Sequence, residues 1–169
     1  INCLNFASKN KSDFIFLSTS RIYPIETIEN INYTEAETRF EIAAPQSTKG
    51  FSQKGISEDF PLDNYRSLYG TTKLASELFI QEYKQFFGLK TVINRCGVLT
   101  GPWQMGKIDQ GVVVLWLAKH FWNQQLSYIG YGGKGKQVRD MLHTADLFRL
   151  IDWQIHHIDD INGEIFNVG

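Results

Sequence analysis

Tyr69 and Lys73 stand four residues apart in Tyr69-Gly70-Thr71-Thr72-Lys73. On a helix, positions i and i+4 share a face about one turn apart. An ammonium beside a phenol favours the phenolate, so a tyrosine in that setting releases its proton more readily than its reference value of about 10 implies. Such a phenol can take a proton from a hydroxyl group and return it near neutral pH. The same spacing also describes a surface tyrosine and a solvated lysine that share a face, so the pair needs elements that would position it.

Those elements can be read from hydrophobic period. Tyr65 to Phe87 repeats Leu68, Ala75, Leu78, Phe79, Tyr83 and Phe86 at three- and four-residue steps, the period of a helix, and Gly88 is a suitable stop. The short apolar runs Phe14-Ile15-Phe16-Leu17 before it and Thr91-Val92-Ile93 after it suit strands buried on both faces of a parallel sheet. Strand, helix and strand with short connections predict a parallel crossover. Ser18, Thr19 and Ser20 then lie at the C-terminal end of a strand, where open α/β sheets bind ligands.

The remaining chain is read in the same way. Residues 1–10 have the character of a helix end. Residues 24–64 hold three of the four prolines and no sustained period, which predicts a long connection with short strands or turns, functional or disordered. An apolar helix is expected at about 112–123, with Trp116 and Trp122 in its core. Leu126 to Ile129 reads as a strand, and Gly130 to Gly135 as a hairpin turn. Thr144 is the expected N-cap of a helix over about 145–157. Glu164 to Val168 is the expected last strand.

Composition bounds the function. Hydrophobic residues make up 43% and charged residues 21%, as in an ordinary soluble domain. A net charge of −1 gives no electrostatic footprint for nucleic acid or an acidic membrane. No apolar run approaches the roughly 18 residues of a membrane span, and no signal peptide is visible. Cys3 and Cys96 lack metal-ligand spacing and read as reduced thiols of a cytoplasmic protein. His143, His156 and His157 are not spaced for metal, which leaves capping or surface roles.

Four segments in order resemble the extended short-chain dehydrogenase/reductase family of nucleotide-sugar epimerases and dehydratases. They are Phe14 to Tyr23 (the "SSxxVYG" strand and turn), Tyr69 to Lys73 (YGxxK), Arg95 to Pro102 ("RxxNxYGP") and Arg139 to His143 ("RDxxH"). Within the family, Thr34 to Phe40, Gln104, Asp109-Gln110-Gly111 and Gly135 to Asp140 resemble the CDP-paratose (CDP-tyvelose) 2-epimerase branch. Pro24 and Val98 depart from the usual pattern.

The resemblance implies an α/β, Rossmann-like doubly wound parallel sheet: the C-terminal half of a dinucleotide-binding domain plus part of a substrate lobe. Residues 1–102 would carry the catalytic YxxxK, and 103–169 would interleave substrate-lobe elements with the last Rossmann helix and strand. The family's glycine-rich dinucleotide fingerprint is not among these residues, so the sequence reads as a fragment, inactive alone, of a chain about twice as long. The resemblance further implies NAD as cofactor and a nucleotide sugar as substrate, with a homodimer as the assembly. Tyr69 would exchange the sugar hydroxyl proton during transient oxidation to a keto-sugar. Lys73 would support Tyr69 and hold the nicotinamide ribose, and Thr19 would hydrogen-bond the reacting oxygen, unless it only satisfies backbone. Cys96 and Gly97 would line the nicotinamide. Arg139 would hold the diphosphate, unless it pairs with Asp140. Gln104, Asp109, Gln110 and Val98 would face the sugar nucleotide, or serve the loops that carry them. Where sugar 4,6-dehydratases carry Asp-Glu, this chain has Ser20-Arg21, which argues against dehydration. Epimerisation at C2 of a CDP-sugar is the expected activity. A 4-epimerase or reductase of the same fold, or a non-catalytic module, are the alternatives.

Overall fold

The computed structural model describes residues 1–107 and 110–169. Its centre is a three-stranded parallel sheet of β1 (Phe14–Thr19), β6 (Thr91–Cys96) and β9 (Ile165–Val168), in the order β1-β6-β9. All six residues of β6 are buried, as the middle strand of a sheet covered on both faces must be. The pleat then sends alternate β6 side chains to opposite faces. Ile93 and Arg95 meet α3 (Leu68–Phe87), whereas Asn94 meets α5 (Thr144–His156). Two helices on opposite faces of a parallel sheet make the doubly wound arrangement expected from the sequence.

α1 (Asn2–Asn10) packs Leu4 and Ala7 against Ile80 of α3, with Leu89 and Ile93 beside them. On the other face Cys96, Leu142 and Leu147 form a second cluster under α5. β7 (Val98–Thr100) leaves the tip of β6 and pairs in parallel with β8 (Met141–His143), which leads straight into α5. The expected N-cap Thr144 is the first helical residue instead. His143 Nδ1 accepts the Ala145 N–H at 3.2 Å, so the cap is one residue earlier and the ring does a carboxamide's work.

The 24–64 connection holds α2 (Ile25–Glu29) and two small hairpins, β2 (Tyr33–Glu35) with β3 (Phe40–Ile42), and β4 (Phe51–Ser52) with β5 (Gly55–Ile56). A third small core, Ile22, Tyr23 and Phe60 with Leu74 of α3 beside it, seats this segment on the sheet end.

The structure departs from expectation at residues 126–133, at Trp122 and along α3. The strand at 126–129 does not form, and residues 131–133 make a 3-10 turn rather than a hairpin turn. Tyr128 instead turns its ring onto Trp116, 5.2 Å between centroids. α4 (Val112–Phe121) buries no residue fully, and Trp122 just beyond it is 69% exposed rather than core. The helix over 65–87 begins at Leu68, because Ser67 caps it by accepting the Gly70 N–H at 3.1 Å. Its recurrent apolar positions Leu68, Leu78, Phe79 and Phe86 are exposed, while Gly70, Glu77 and Ile80 are buried. The inner face of α3 meets polar strand ends, so it carries a charge where the period suggested an apolar stripe.

Candidate active site

α3 begins against the turn that follows β1. A Cβ on Gly70 would lie well inside 3.0 Å of the Arg21 carbonyl oxygen, so glycine is what lets the helix approach this closely. One turn on, Lys73 Nζ donates to the Leu17 carbonyl at 2.8 Å and sits 4.7 Å from the centroid of the Phe16 ring. Lys73 is thereby fixed at the C-terminal part of β1. The Tyr69 side is half-open, with 52% exposure, and no described residue hydrogen-bonds its hydroxyl. Thr19 and Cys96 are register partners at the tips of β1 and β6. Thr19 is buried, and its Oγ1 accepts the Arg21 N–H at 3.2 Å, capping the 3-10 turn of residues 20–22. That bond uses an oxygen lone pair and leaves the hydroxyl proton to donate elsewhere. Burial pushes the Cys96 thiol up, against the pull of the Lys73 charge, so the thiol is held protonated. Tyr69, Lys73, Thr19 and Cys96 thus gather at one end of the sheet.

Beneath them lies a buried polar cluster that the motifs do not announce. Glu77 is fully buried and takes the Arg95 guanidinium bidentately, Nη2 at 2.9 Å and Nε at 3.2 Å. Ser18 Oγ also donates to Glu77. Arg95 Nη1 donates to the Tyr23 hydroxyl at 3.1 Å, and that hydroxyl donates to Asn167 Oδ1 at 2.6 Å. Burial drives the Tyr23 phenol upward even though Arg95 pulls the other way. Burial opposes the Arg95 charge, and the hydrogen bonds and charge of Glu77 outweigh it, so the guanidinium stays charged. On the far face, Asn94 and Gln154 exchange two side-chain hydrogen bonds of 2.8 Å each. Glu77 was legible only as a residue four positions past Lys73, on its side of the helix.

The remaining expected site residues are not brought together. Gly97 and Val98 lie beside the strand of the RDxxH motif: Val98 N donates to the Asp140 carbonyl at 3.2 Å, and a Cβ on Gly97 would enter the Asp140 carboxylate. Arg139 lines a cleft of about 560 Å³ with Arg39, Tyr33, Phe40, Tyr131 and Gln137. Its guanidinium donates to Gln137 Oε1 at 3.3 Å and not to Asp140, so the competing pair is not formed. Arg39 entered the sequence reading only as part of a family segment. Gln104 Nε2 donates to the Leu99 carbonyl at 3.0 Å, while its Oε1 is buried without a partner among the described residues. Gln110 is exposed, and its carbonyl accepts from Lys107 N at 2.7 Å. Asp109 lies outside the described residues.

These donors fit the nicotinamide end of a dinucleotide. The Lys73 ammonium has three protons, and the Leu17 carbonyl takes one, which leaves two for a diol such as a ribose. No glycine-rich phosphate turn is present among the 169 residues, so this chain offers nothing comparable for the adenosine end.

A doubly wound parallel sheet with a Tyr–Lys pair at the C-terminal tips of its strands defines a Rossmann-like α/β protein of the short-chain dehydrogenase/reductase kind. The model of the NAD dependent epimerase/dehydratase family matches residues 1–169, and the chain belongs to that family, whose cofactor is NAD. It is 32% identical over 159 residues to the CDP-paratose 2-epimerase of Salmonella typhi, covering 93% of this chain and 44% of that one. A putative UDP-glucose 4-epimerase of Methanocaldococcus jannaschii is 27% identical over 118 residues, 68% of this chain and 35% of that one. Among solved structures, the UDP-glucuronic acid 4-epimerase of Bacillus cereus in complex with UDP-glucuronic acid and NAD superposes with a TM-score of 0.67 at 25% identity, over 98% of this chain and 43% of that one. A dTDP-glucose 4,6-dehydratase of Streptomyces venezuelae with NAD bound, at TM-score 0.64 and 23% identity over 98% of this chain and 41% of that one, shares the fold. The chain spans under half the length of the curated relatives it matches.

Proposed function

We propose that the complete gene product is a cytoplasmic nucleotide-sugar epimerase that inverts C2 of a CDP-sugar through a transient keto-sugar. The observation that carries the reading is the Tyr69 hydroxyl, half-open and without a partner among the described residues, on the helix whose Lys73 is tied to the Leu17 carbonyl of β1. NAD, when bound, supplies reversible hydride acceptance. Tyr69 Oη takes the proton of the sugar hydroxyl as the carbon is oxidised and gives it back on re-reduction. Lys73 Nζ supports Tyr69 from one turn along the helix and holds ribose hydroxyls with its two free protons. Thr19 Oγ donates to the reacting oxygen. Cys96 and Gly97 face the nicotinamide, and Arg139 holds the diphosphate as a planar cation suited to paired oxygens. Gln104, Asp109, Gln110 and Val98 contact the sugar nucleotide. Residues 1–102 form the catalytic part of the Rossmann-like domain, and 103–169 contribute to the substrate lobe. The exposed Leu68, Leu78, Phe79 and Phe86 on α3 support a homodimer across that helix.

Two features favour epimerisation over dehydration. Residues 20 and 21 are Ser and Arg, so the turn beside Thr19 offers no carboxyl group to expel water. The 32% identity to a CDP-paratose 2-epimerase over 93% of this chain supports the C2 assignment. The test is product analysis of the complete gene product with CDP-paratose, together with its Tyr69→Phe variant. Inversion at C2, and a loss beyond about 100-fold in Tyr69→Phe with NAD still bound, is the expected result. Inversion at C4 of another sugar nucleotide would transfer the assignment to a 4-epimerase. Tyr69→Phe activity within about tenfold of the parent would remove Tyr69 from the proton step.

A further inference from the structure

The buried cluster under the site does more than fill space. α3 has only one fully buried apolar side chain among its described residues, Ile80. Leu74 and Tyr83 add partly buried contacts to it, but apolar packing is non-directional and sets the rotation of a twenty-residue helix only loosely. The Glu77 carboxylate can fix it. It is held by Ser18 of β1 and Arg95 of β6, which are register partners on adjacent strands. These are the last positions before Thr19 and Cys96 at the strand tips. Arg95 leaves no slack of its own. Nε and Nη2 grip Glu77, while Nη1 reaches Tyr23 and the Glu58 carbonyl.

Resting on the reading of Tyr69 as the proton carrier, we propose that Glu77 is a positioning residue. Clamped between Ser18 and Arg95, it sets the rotation of α3 and so sets where Tyr69 Oη and Lys73 Nζ stand relative to Thr19. Tyr69, Lys73 and Glu77 follow at steps of four, so they share a sector of about 80° at 3.6 residues per turn. With side-chain tips about 6 Å from the axis, a rotation of about 10° moves the phenol oxygen by about 1 Å. A misplacement of that size can cost on the order of 100-fold in rate. Stability alone does not call for the pair, because a buried ion pair replaced by apolar groups of similar volume is often as stable or more so.

That contrast makes the test. In the complete gene product, Ser18→Ala, Glu77→Gln, Arg95→Lys and the double variant Glu77→Met/Arg95→Met are compared for bound NAD, melting temperature, kcat and KM on whichever nucleotide sugar the parent converts. Glu77→Gln and Arg95→Lys should lose about 100-fold in kcat with KM within about twofold, and Ser18→Ala about three- to tenfold. The double variant should recover the melting temperature but not kcat. The proposal is overturned if the double variant binds NAD and turns over within about threefold of the parent. It is equally overturned if each loss in kcat merely tracks the NAD-loaded fraction. Should the double variant not fold, Ser18→Ala decides, and an unchanged kcat refutes the pin. Should the parent convert no nucleotide sugar, the functional reading fails instead. The pin is then read from amide exchange over residues 68–76 in Ser18→Ala, where local acceleration supports it and unchanged exchange refutes it.

Discussion

Gly70→Ala reverses the usual sign of a helix substitution. In an open helix interior, alanine gains about 1 kcal/mol over glycine, because glycine loses more backbone freedom on folding. Gly70 has ordinary helical backbone here, so alanine could adopt it without strain. The space is the obstacle. The new Cβ would run into the Arg21 carbonyl oxygen, a backbone atom that no rotamer change can move, with the Arg21 carbonyl carbon at 3.0 Å. Relief requires the start of α3 and the turn after β1 to part by on the order of 1 Å, and such overpacking typically costs 1–3 kcal/mol. Set against the propensity gain, the net change is a loss of about 0–2 kcal/mol. The larger effect falls on rate, because the start of α3 carries Tyr69 and the turn begins at Thr19. Parting them by about 1 Å predicts a loss on the order of 100-fold. Thermal unfolding, quantified bound NAD and initial rates on the complete gene product form the assay. A variant that is more stable by about 1 kcal/mol, with an unchanged rate, would refute the contact and the close approach built on it.

Two further outcomes follow from the buried groups. Gln154→Leu leaves the Asn94 amide buried without its partner and should cost about 1–3 kcal/mol, whereas Asn94→Leu/Gln154→Leu should recover most of it. Urea unfolding of the four chains of that cycle measures the coupling, and strict additivity would refute it. The Cys96 thiol is raised by burial, so above about pH 8.5 the unfolded chain has lost a proton that the folded chain keeps. This contribution to stability is complete below that pH and is lost as pH rises toward the folded value. Tyr23, also raised by burial, acts with the same sign starting near pH 10. Cys96→Ala should therefore flatten the fall in the urea midpoint between about pH 8.5 and 10. An equal slope in the parent and the variant would contradict the assignment.

The sheet and its helices were legible because β1 and the first half of β6 are apolar runs of strand length, and α3 has a clear period. The second half of β6 was less so, because Asn94, Arg95 and Cys96 do not look like a buried strand. Their burial depends on partners 18 and 60 residues away, Glu77 and Gln154, and no local pattern carries that information. The same reason inverted the reading of α3. Its period marked a helix correctly, yet the face it buries was chosen by Ser18 and Arg95, while Leu78, Phe79 and Phe86 face outward. At 126–135 local pattern misled outright, since Tyr128 packs at a tilt against Trp116 and the glycines turn without a strand to return to. Tyr69, Lys73 and Thr19 are candidates on spacing and motif order, and the structure sets Lys73 against the Leu17 carbonyl of β1. Glu77 was passed over because a mid-helix glutamate reads as solvated.

The segment over 24–64 links the two halves of the candidate site, and the links differ in kind. At its C-terminal end, Glu58 Oε1 accepts the Asn167 N–H and the Glu58 carbonyl accepts from Arg95, so this end shares the buried cluster that holds α3. At the β2–β3 hairpin, Phe40 N donates to the Lys136 carbonyl at 2.9 Å, and the Phe40 ring meets Tyr131 edge-on at 6.3 Å. Glu35 adds ion pairs to Lys134 and Lys136, and the hydrogen bonds from Lys136 and Lys134, helped by their charges, pull its carboxyl below its usual range. The Lys134 pair is exposed and contributes little to stability, whereas the largely buried Lys136, which also donates to the Ala36 carbonyl at 2.7 Å, joins the backbone bond and the aromatic edge as the firmer attachments. Arg39 of the hairpin and Arg139 line one cleft. The inner attachment is continuous with the Glu77–Arg95 cluster, and the outer one with the cleft that Arg39 and Arg139 line. One connecting segment therefore reaches both the cleft, through Arg39 and Phe40, and the buried cluster that holds α3, through Glu58 and Arg95.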